Sequence, residues 1–338
     1  MADKVPAERK VWQYAKTTGG MENNLQLITT PMPTPKPTEH LIRVLAGSLN
    51  AVDYKIAELS VIGGFAVPKP ATPGMDIAGE IVVAADGSDL KPGDLVFGAA
   101  GGSLAAMGGL AEYITTPKER VTAIPKGVST IDAASLPTGA VTSYQAIVPH
   151  VKPGSHVLFN GGSGGVGVIA IQVAKIKGCH VTVTCSSRNI DLCKKLGADV
   201  VVDYTQGCVM DQLAALDYKF DLIVDGVGND KALYWASNKY TNRGAKFVYI
   251  AFAPPGDVAF VAAANTTPSF LGGPRAKLTV LFADFSNEQM SEVIGWMAEG
   301  KLKSCIDSTW PMNDVPNAYK KLKSQRVSGK VVIEVAAA

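Results

Sequence analysis

The chain lacks what would tie it to a membrane, a nucleic acid or a metal. No apolar run reaches the ~18 residues a membrane span needs. The start, Met1-Ala2-Asp3-Lys4-Val5-Pro6, has no apolar core of the kind a secretory signal carries. The formal net charge is only +2 over 338 residues, which gives no reason to expect a nucleic-acid or membrane partner. The cysteines are Cys179, Cys185, Cys193, Cys208 and Cys305, an odd set with no C-x-x-C pair. They read as reduced, mostly buried thiols of a cytoplasmic protein. The four histidines, His40, His150, His156 and His180, are scattered, with no H-E-x-x-H and no four-cysteine lobe. No zinc is expected. Internal repeats and low-complexity tracts are absent as well.

What is present begins with length and apolar content. A chain of 338 residues suggests two domains, and 47% apolar against 18% charged residues allows substantial cores. The most informative stretch is the apolar strand His156-Val157-Leu158-Phe159-Asn160, which runs into Gly161-Gly162-Ser163-Gly164-Gly165-Val166-Gly167 and then an apolar helix. Gly162, Gly164 and Gly167 fit G-x-G-x-x-G. In that pattern the first glycine permits the turn, the second admits a pyrophosphate and the third lets helix and strand pack closely. Free N–H groups at the helix start would face the phosphates, which makes Gly162, Ser163, Gly164, Gly165, Val166 and Gly167 the candidate cofactor-binding residues here.

Around this stretch two grammars meet. The first ~130 residues read as short strands between turns, including 41–46, 77–83 and 95–97. Pro31, Pro33, Pro35 and Pro37 mark an extended connector. Gly98 to Gly109 is a small-residue loop, either the rim of a pocket or plain surface. Residues 131–150 hold a helix interrupted near Pro137 and Gly139. Strands at 156–160, 180–184, 199–202, 220–225 and 245–250 then alternate with helices, which implies a doubly wound parallel sheet. A last strand is expected at 278–283, a helix at 287–300, and a strand at 329–334 that returns to the first domain.

The end of the second strand selects the nucleotide. An acid there favours NAD, whereas a cation or hydroxyl accommodates a 2′-phosphate. Thr184-Cys185-Ser186-Ser187-Arg188-Asn189 has no acid before Asp191. Ser186, Ser187 and Arg188 suit a phosphate and so favour NADPH, although Arg188 could also be a solvated helix cap. Tyr204 would pack on the same ribose or belong to the core.

Taken together, these residues resemble the medium-chain dehydrogenase/reductase superfamily, in its zinc-independent quinone oxidoreductase-like and enone reductase branch. The segments that carry the resemblance are Ser48 to Lys55, with Ala51 where the family has proline, Pro73 to Glu80, Lys91 to Val96, Gly109 to Tyr113, Leu136 to Ala146 and Leu196 to Asp199. Zinc-dependent cousins carry a cysteine and a His-Glu pair where this chain has Asn50 and Met75-Asp76. The resemblance implies a GroES-like, mostly β-barrel substrate domain from residues 1–130 and 285–338. It implies a Rossmann NADP(H) domain over 131–284, with the active site in the cleft between them, and it favours a homodimer.

Carried over residue by residue, the resemblance places Asn50 and Thr142 on the nicotinamide ribose or carboxamide. It places Gly226, Val227, Ala251 and Phe252 beside the ring. The expected reaction is hydride transfer to a quinone or to the C=C bond of an α,β-unsaturated carbonyl, on a small apolar substrate. Lys55 and Tyr54 are the available donors to the carbonyl oxygen, or they only position neighbours. Asp53 reads as structural before catalytic. Met75, Leu104, Met107 and Phe282 would line a pocket or fill a core. Two other readings stay open: a pathway-specific enoyl reductase or non-redox biosynthetic enzyme, and a non-catalytic NADP(H)-binding protein acting through a partner.

Overall fold

The computed structural model describes residues 5–59, 67–101, 108–251 and 256–336. The chain divides into two compact units, Met1–Thr138 with Phe285–Ala338, and Gly139–Asp284.

In the first unit β1 (Glu8–Gln13) and β2 (Gln26–Pro31) form an antiparallel pair, and the proline-rich connector after β2 is extended as expected. A larger sheet takes β3 (Glu39–Leu49), β4 (Asp76–Val83), β5 (Leu95–Ala99), β6 (Tyr113–Pro117) and β7 (Val121–Ala123). One edge of β3 pairs with β4; the other pairs with β6 over Glu39–Arg43 and with the C-terminal strand over Ala46–Leu49. The sheet contributes to an apolar core of Val11, Ile42, Val44, Ile77, Ile81, Val96 and Ile114. The helix Thr130–Ala134 starts at Ser129, whose hydroxyl accepts from the Asp132 N–H at 3.0 Å, and it packs on β3, β4 and β5. The expected helix is indeed broken just before Pro137, which opens a second one, Pro137–Ile147, where a missing N–H costs nothing; Gly139 lies inside that helix and does not interrupt it.

The second unit is a six-stranded parallel sheet of β8 (His156–Asn160), β9 (His180–Cys185), β10 (Val200–Asp203), β11 (Phe220–Asp225), β12 (Thr241–Tyr249) and β13 (Lys277–Val280). Its order, β10-β9-β8-β11-β12-β13, is doubly wound, and the direction of winding reverses between β8 and β11. Val157, Leu158, Phe159, Leu222, Ile223 and Val224 are buried in succession, as expected for strands covered on both faces. The helix after β8 begins at Gly167, because Gly161–Val166 form the turn.

The chain then returns to the first unit through the helix Asn287–Ala298, β14 (Ile306–Pro311), the helix Val315–Lys323 and β15 (Lys330–Glu334). β15 pairs antiparallel with β3, Val331 opposite Leu49 and Val332 opposite Ser48. This register carries Lys330 to the end of β3.

Candidate active site

Ligands of an open α/β sheet bind outside the carboxyl ends of the strands where the winding reverses. In the second unit the parallel register lines up four polar residues there: Thr184 on β9, Asn160 on β8, Asp225 on β11 and Tyr249 on β12. The Thr184 hydroxyl donates to Asn160 Oδ1 at 2.6 Å, and Asn160 Nδ2 donates to Asp225 Oδ1 at 2.8 Å. Each end of the chain then grips a turn. Thr184 Oγ1 accepts from the Gly161 N–H at 3.0 Å, and Asp225 Oδ1 accepts from the N–H groups of Val227 and Gly228, both at 3.0 Å.

The glycine turn departs in one detail from its sequence reading. The positive φ, +97°, belongs to Gly161, not Gly162. Gly162 is required by proximity: a Cβ there would meet Val183 Cβ at 2.6 Å, and one on Gly167 would meet the Gly161 carbonyl oxygen at 2.3 Å. Gly164 is different, for a Cβ there would approach only the Gly161 oxygen, at 3.4 Å, so its outer side is open. Among the described residues the N–H groups of Ser163, Gly165 and Val166 make no backbone hydrogen bond. An open glycine beside uncommitted amides at a helix start fits a pyrophosphate. Ser143 Oγ donates to the Val166 oxygen at 3.3 Å, which holds the helix bearing the buried Thr142 against this turn.

At the ends of β9 and β10, Ser187 and Arg188 are exposed and Ser186 is half-buried. Ser187 is already engaged, donating to Asp203 Oδ2 at 2.5 Å. That bond, with further bonds from Thr205, holds the Asp203 carboxyl below its ordinary range. Among the described residues the Arg188 side chain has no hydrogen bond or ion pair, and it is exposed. Asn189 Nδ2 donates to Ser163 Oγ at 2.9 Å and ties this loop to the glycine turn. Tyr204 is 55% exposed, so it is not a core residue. Gly226, Val227 and Ala251 follow β11 and β12. Phe252, Leu104 and Met107 lie outside the described residues. Phe282 is 65% exposed, so it fills no core, whereas Met75 is buried.

The first unit holds a cluster that sequence reasoning missed. Asp76, at the start of β4, uses both carboxylate oxygens. Oδ1 accepts from the Thr138 N–H at 2.9 Å and hydroxyl at 2.5 Å; Oδ2 accepts from Ser48 Oγ at 3.0 Å, Asn50 Nδ2 at 2.8 Å and Lys330 Nζ at 3.0 Å. Lys330 also donates to Asn50 Oδ1 at 2.5 Å. Both Lys330 and Asp76 are buried, at 3% and 1% exposure. Asn50 therefore has its amide fixed, with oxygen toward the ammonium and nitrogen toward the carboxylate.

Asn50 also precedes the short helix Ala51–Lys55, and its N–H donates to Asp53 Oδ2 at 2.8 Å. Asp53 is fully buried; Tyr319 donates to Oδ2 at 3.3 Å, and Oδ1 has no partner among the described residues. Burial pushes its carboxyl up to about 7, against the pull of the Asn50 N–H. On the same helix Lys55 is exposed. Tyr54 is half-buried beneath the Lys323 ammonium, 5.0 Å from its ring, and burial raises its phenol.

No group of three or more His, Cys, Asp or Glu able to hold a metal occurs among the described residues. No helix among them is long and apolar enough to cross a membrane. Residues 36–126 match the alcohol dehydrogenase GroES-like domain, and residues 196–333 match the zinc-binding dehydrogenase domain. The trans-enoyl reductase pgmF of Aspergillus terreus is 40% identical over 99% of this chain and 98% of its own length. The chain belongs to the medium-chain dehydrogenase/reductase family. A chloroplastic quinone-oxidoreductase, QR1 of Triphysaria versicolor, is 33% identical over 94% of this chain and 95% of its own. Among solved structures, the quinone oxidoreductase from Coxiella burnetii superposes with a TM-score of 0.85, at 30% identity over 97% of this chain and 100% of that one. The GroES-like and Rossmann architecture expected from the sequence is thus the architecture of this oxidoreductase. Reductases of this family use nicotinamide cofactors and act on small molecules.

Proposed function

We propose that the protein is an NADPH-dependent reductase that works without zinc on the C=C bond of an α,β-unsaturated carbonyl, or on a quinone. The observation that carries this reading is the turn after β8: Gly164 open, neighbouring amides uncommitted, and the whole anchored by the Thr184–Asn160–Asp225 chain. Gly162, Ser163, Gly164, Gly165, Val166 and Gly167 would hold the pyrophosphate. Arg188 and Ser186 would take the 2′-phosphate, with Tyr204 against the ribose. Ser187, whose hydroxyl proton goes to Asp203, would support this loop. The 40% identity to a trans-enoyl reductase favours the C=C reading over the quinone one.

Zinc independence rests on the donor set. Asp76 has no oxygen left over, and a cation at Asn50 would have to displace the Lys330 ammonium. A metal entering there would meet a positive charge already buried.

When bound, the reduced nicotinamide supplies the hydride. In the second unit, Thr142 would contact the ribose or carboxamide, and Gly226, Val227, Ala251 and Phe252 would border the ring. In the first unit, Asn50 keeps one N–H for the carboxamide or ribose after its bond to Asp76. Hydride addition at the β carbon builds negative charge on the carbonyl oxygen. Lys55, exposed and cationic, is the donor we assign to it, with Tyr54 second.

The test is NADPH oxidation, followed by absorbance, against a panel of enones, enoyl thioesters and quinones, with and without a chelator. Turnover with an unsaturated carbonyl, indifferent to the chelator, supports the proposal. Tight NADPH binding with no turnover on any acceptor would instead favour a binding protein that acts through a partner.

A further inference from the structure

We propose that Lys231 is a positioning residue for the nicotinamide half of the cofactor, acting through the Gly226-Val227-Gly228 turn. The inference rests on the cofactor reading given above.

Lys231 lies six residues beyond the end of β11 and uses all three ammonium protons. They go to the Gly228 carbonyl oxygen at 2.7 Å, Tyr249 Oη at 2.5 Å and Asp257 Oδ1 at 2.5 Å. The Tyr249 hydroxyl closes the ring by donating to Asp257 Oδ2 at 2.8 Å. The rings of Tyr249 and Phe260 face the ammonium at 4.7 and 5.0 Å. A cation with every proton bonded, beside a buried acid and two aromatic faces, has one geometry.

Both polar groups of Gly228 are thereby held by charged side chains. Its N–H goes to Asp225 Oδ1 and its carbonyl oxygen to Lys231. The residue sits at φ +69°, and a Cβ there would meet Tyr249 Oη at 2.5 Å and Ala251 Cβ at 2.8 Å. Only glycine fits, and only in this orientation.

The part of the turn left open is Val227, 41% exposed. A Cβ on Gly161 would meet Val227 Cγ2 at 2.7 Å, so this side chain stands directly against the start of the glycine turn. The result is an apolar shelf on a fixed backbone, one strand across the winding reversal from the phosphate site. A planar heteroaromatic ring joined to that pyrophosphate can lie on such a shelf. The adenosine end belongs to the opposite side, beyond β9 and β10, and does not depend on Lys231.

Two ligands separate these halves: NADPH and 2′-phospho-ADP-ribose, which is NADPH without its nicotinamide. For a chain that prefers NADH, the pair is NADH and ADP-ribose. By calorimetry, Lys231→Met is expected to weaken NADPH about tenfold while leaving 2′-phospho-ADP-ribose within about twofold. Lys231→Arg, which keeps charge and donors, should recover part of the loss. Should Lys231→Met not fold, Tyr249→Phe removes one of the three acceptors, and a loss of about two- to threefold confined to NADPH is expected. Equal weakening of both ligands, or of neither, overturns the inference. A wild-type protein that binds neither ligand overturns the cofactor reading itself.

Discussion

Lys330 reaches Asp76 across 254 positions of sequence, at 3.0 Å, with both side chains sealed from solvent. Burying one carboxylate and one ammonium is costly, and their attraction compensates only when the remaining lone pairs and protons are also bonded. Ser48, Asn50 and Thr138 complete the shell of Asp76. The pair therefore does more than join β15 to β4, since Asn50 lies between its members and takes its orientation from both.

Removing Lys330 strands a buried carboxylate. Lys330→Met is expected to destabilise the protein by about 3–5 kcal/mol in urea unfolding. Adding Asp76→Asn should return part of that loss, because the uncompensated charge is gone. A double variant no more stable than Lys330→Met would mean that the two side chains are not energetically coupled.

Asp53 makes stability depend on pH. Its carboxyl moves from an ordinary 3.8 to about 7 in the fold, so between these values the native state holds a proton that the unfolded chain has lost. Stability from this group is full below about pH 4, falls as pH rises through the window, and levels off above about 7. Asp53→Asn should flatten the slope between pH 4 and 7, read from denaturant midpoints at each pH. An unchanged slope would show that Asp53 titrates in its ordinary range.

Arg188 is expected to discriminate between the coenzymes. Arg188→Ala should weaken NADPH by about tenfold or more, through the loss of a charge-assisted contact, and NADH by less than about threefold. Equal losses measured by fluorescence titration would remove Arg188 from the specificity argument.

Lys55 is expected to act on the reaction more than on binding. Lys55→Ala should lower turnover about a hundredfold while the dissociation constant of NADPH stays within about threefold. Full turnover in this variant would leave the carbonyl oxygen to another donor.

What could be read before the structure was local. The strand, glycine turn and helix at 156–176 announce themselves within some twenty residues, because a turn's steric demands fall on adjacent positions. Even so, the residue with positive φ is Gly161, one position ahead of the motif, since spacing does not distinguish a strained glycine from a crowded one. Lys231 and Lys330 gave no signal at all. A lysine after a strand, or opening one, reads as solvated until the fold shows its ammonium enclosed by acceptors from several segments.

The family, the alternation that yields a parallel sheet and the turn beside its first strand were legible in the residues alone, because periodicity and glycine spacing act over a few positions. The fixed amide of Asn50, the lack of a free oxygen on Asp76 and the hold on both polar groups of Gly228 emerge with the fold. Those outcomes depend on the register between strands and on partners that range from three positions away, for Gly228, to more than two hundred and fifty, for Lys330. Only folding brings such charges close enough, and dry enough, to fix one another.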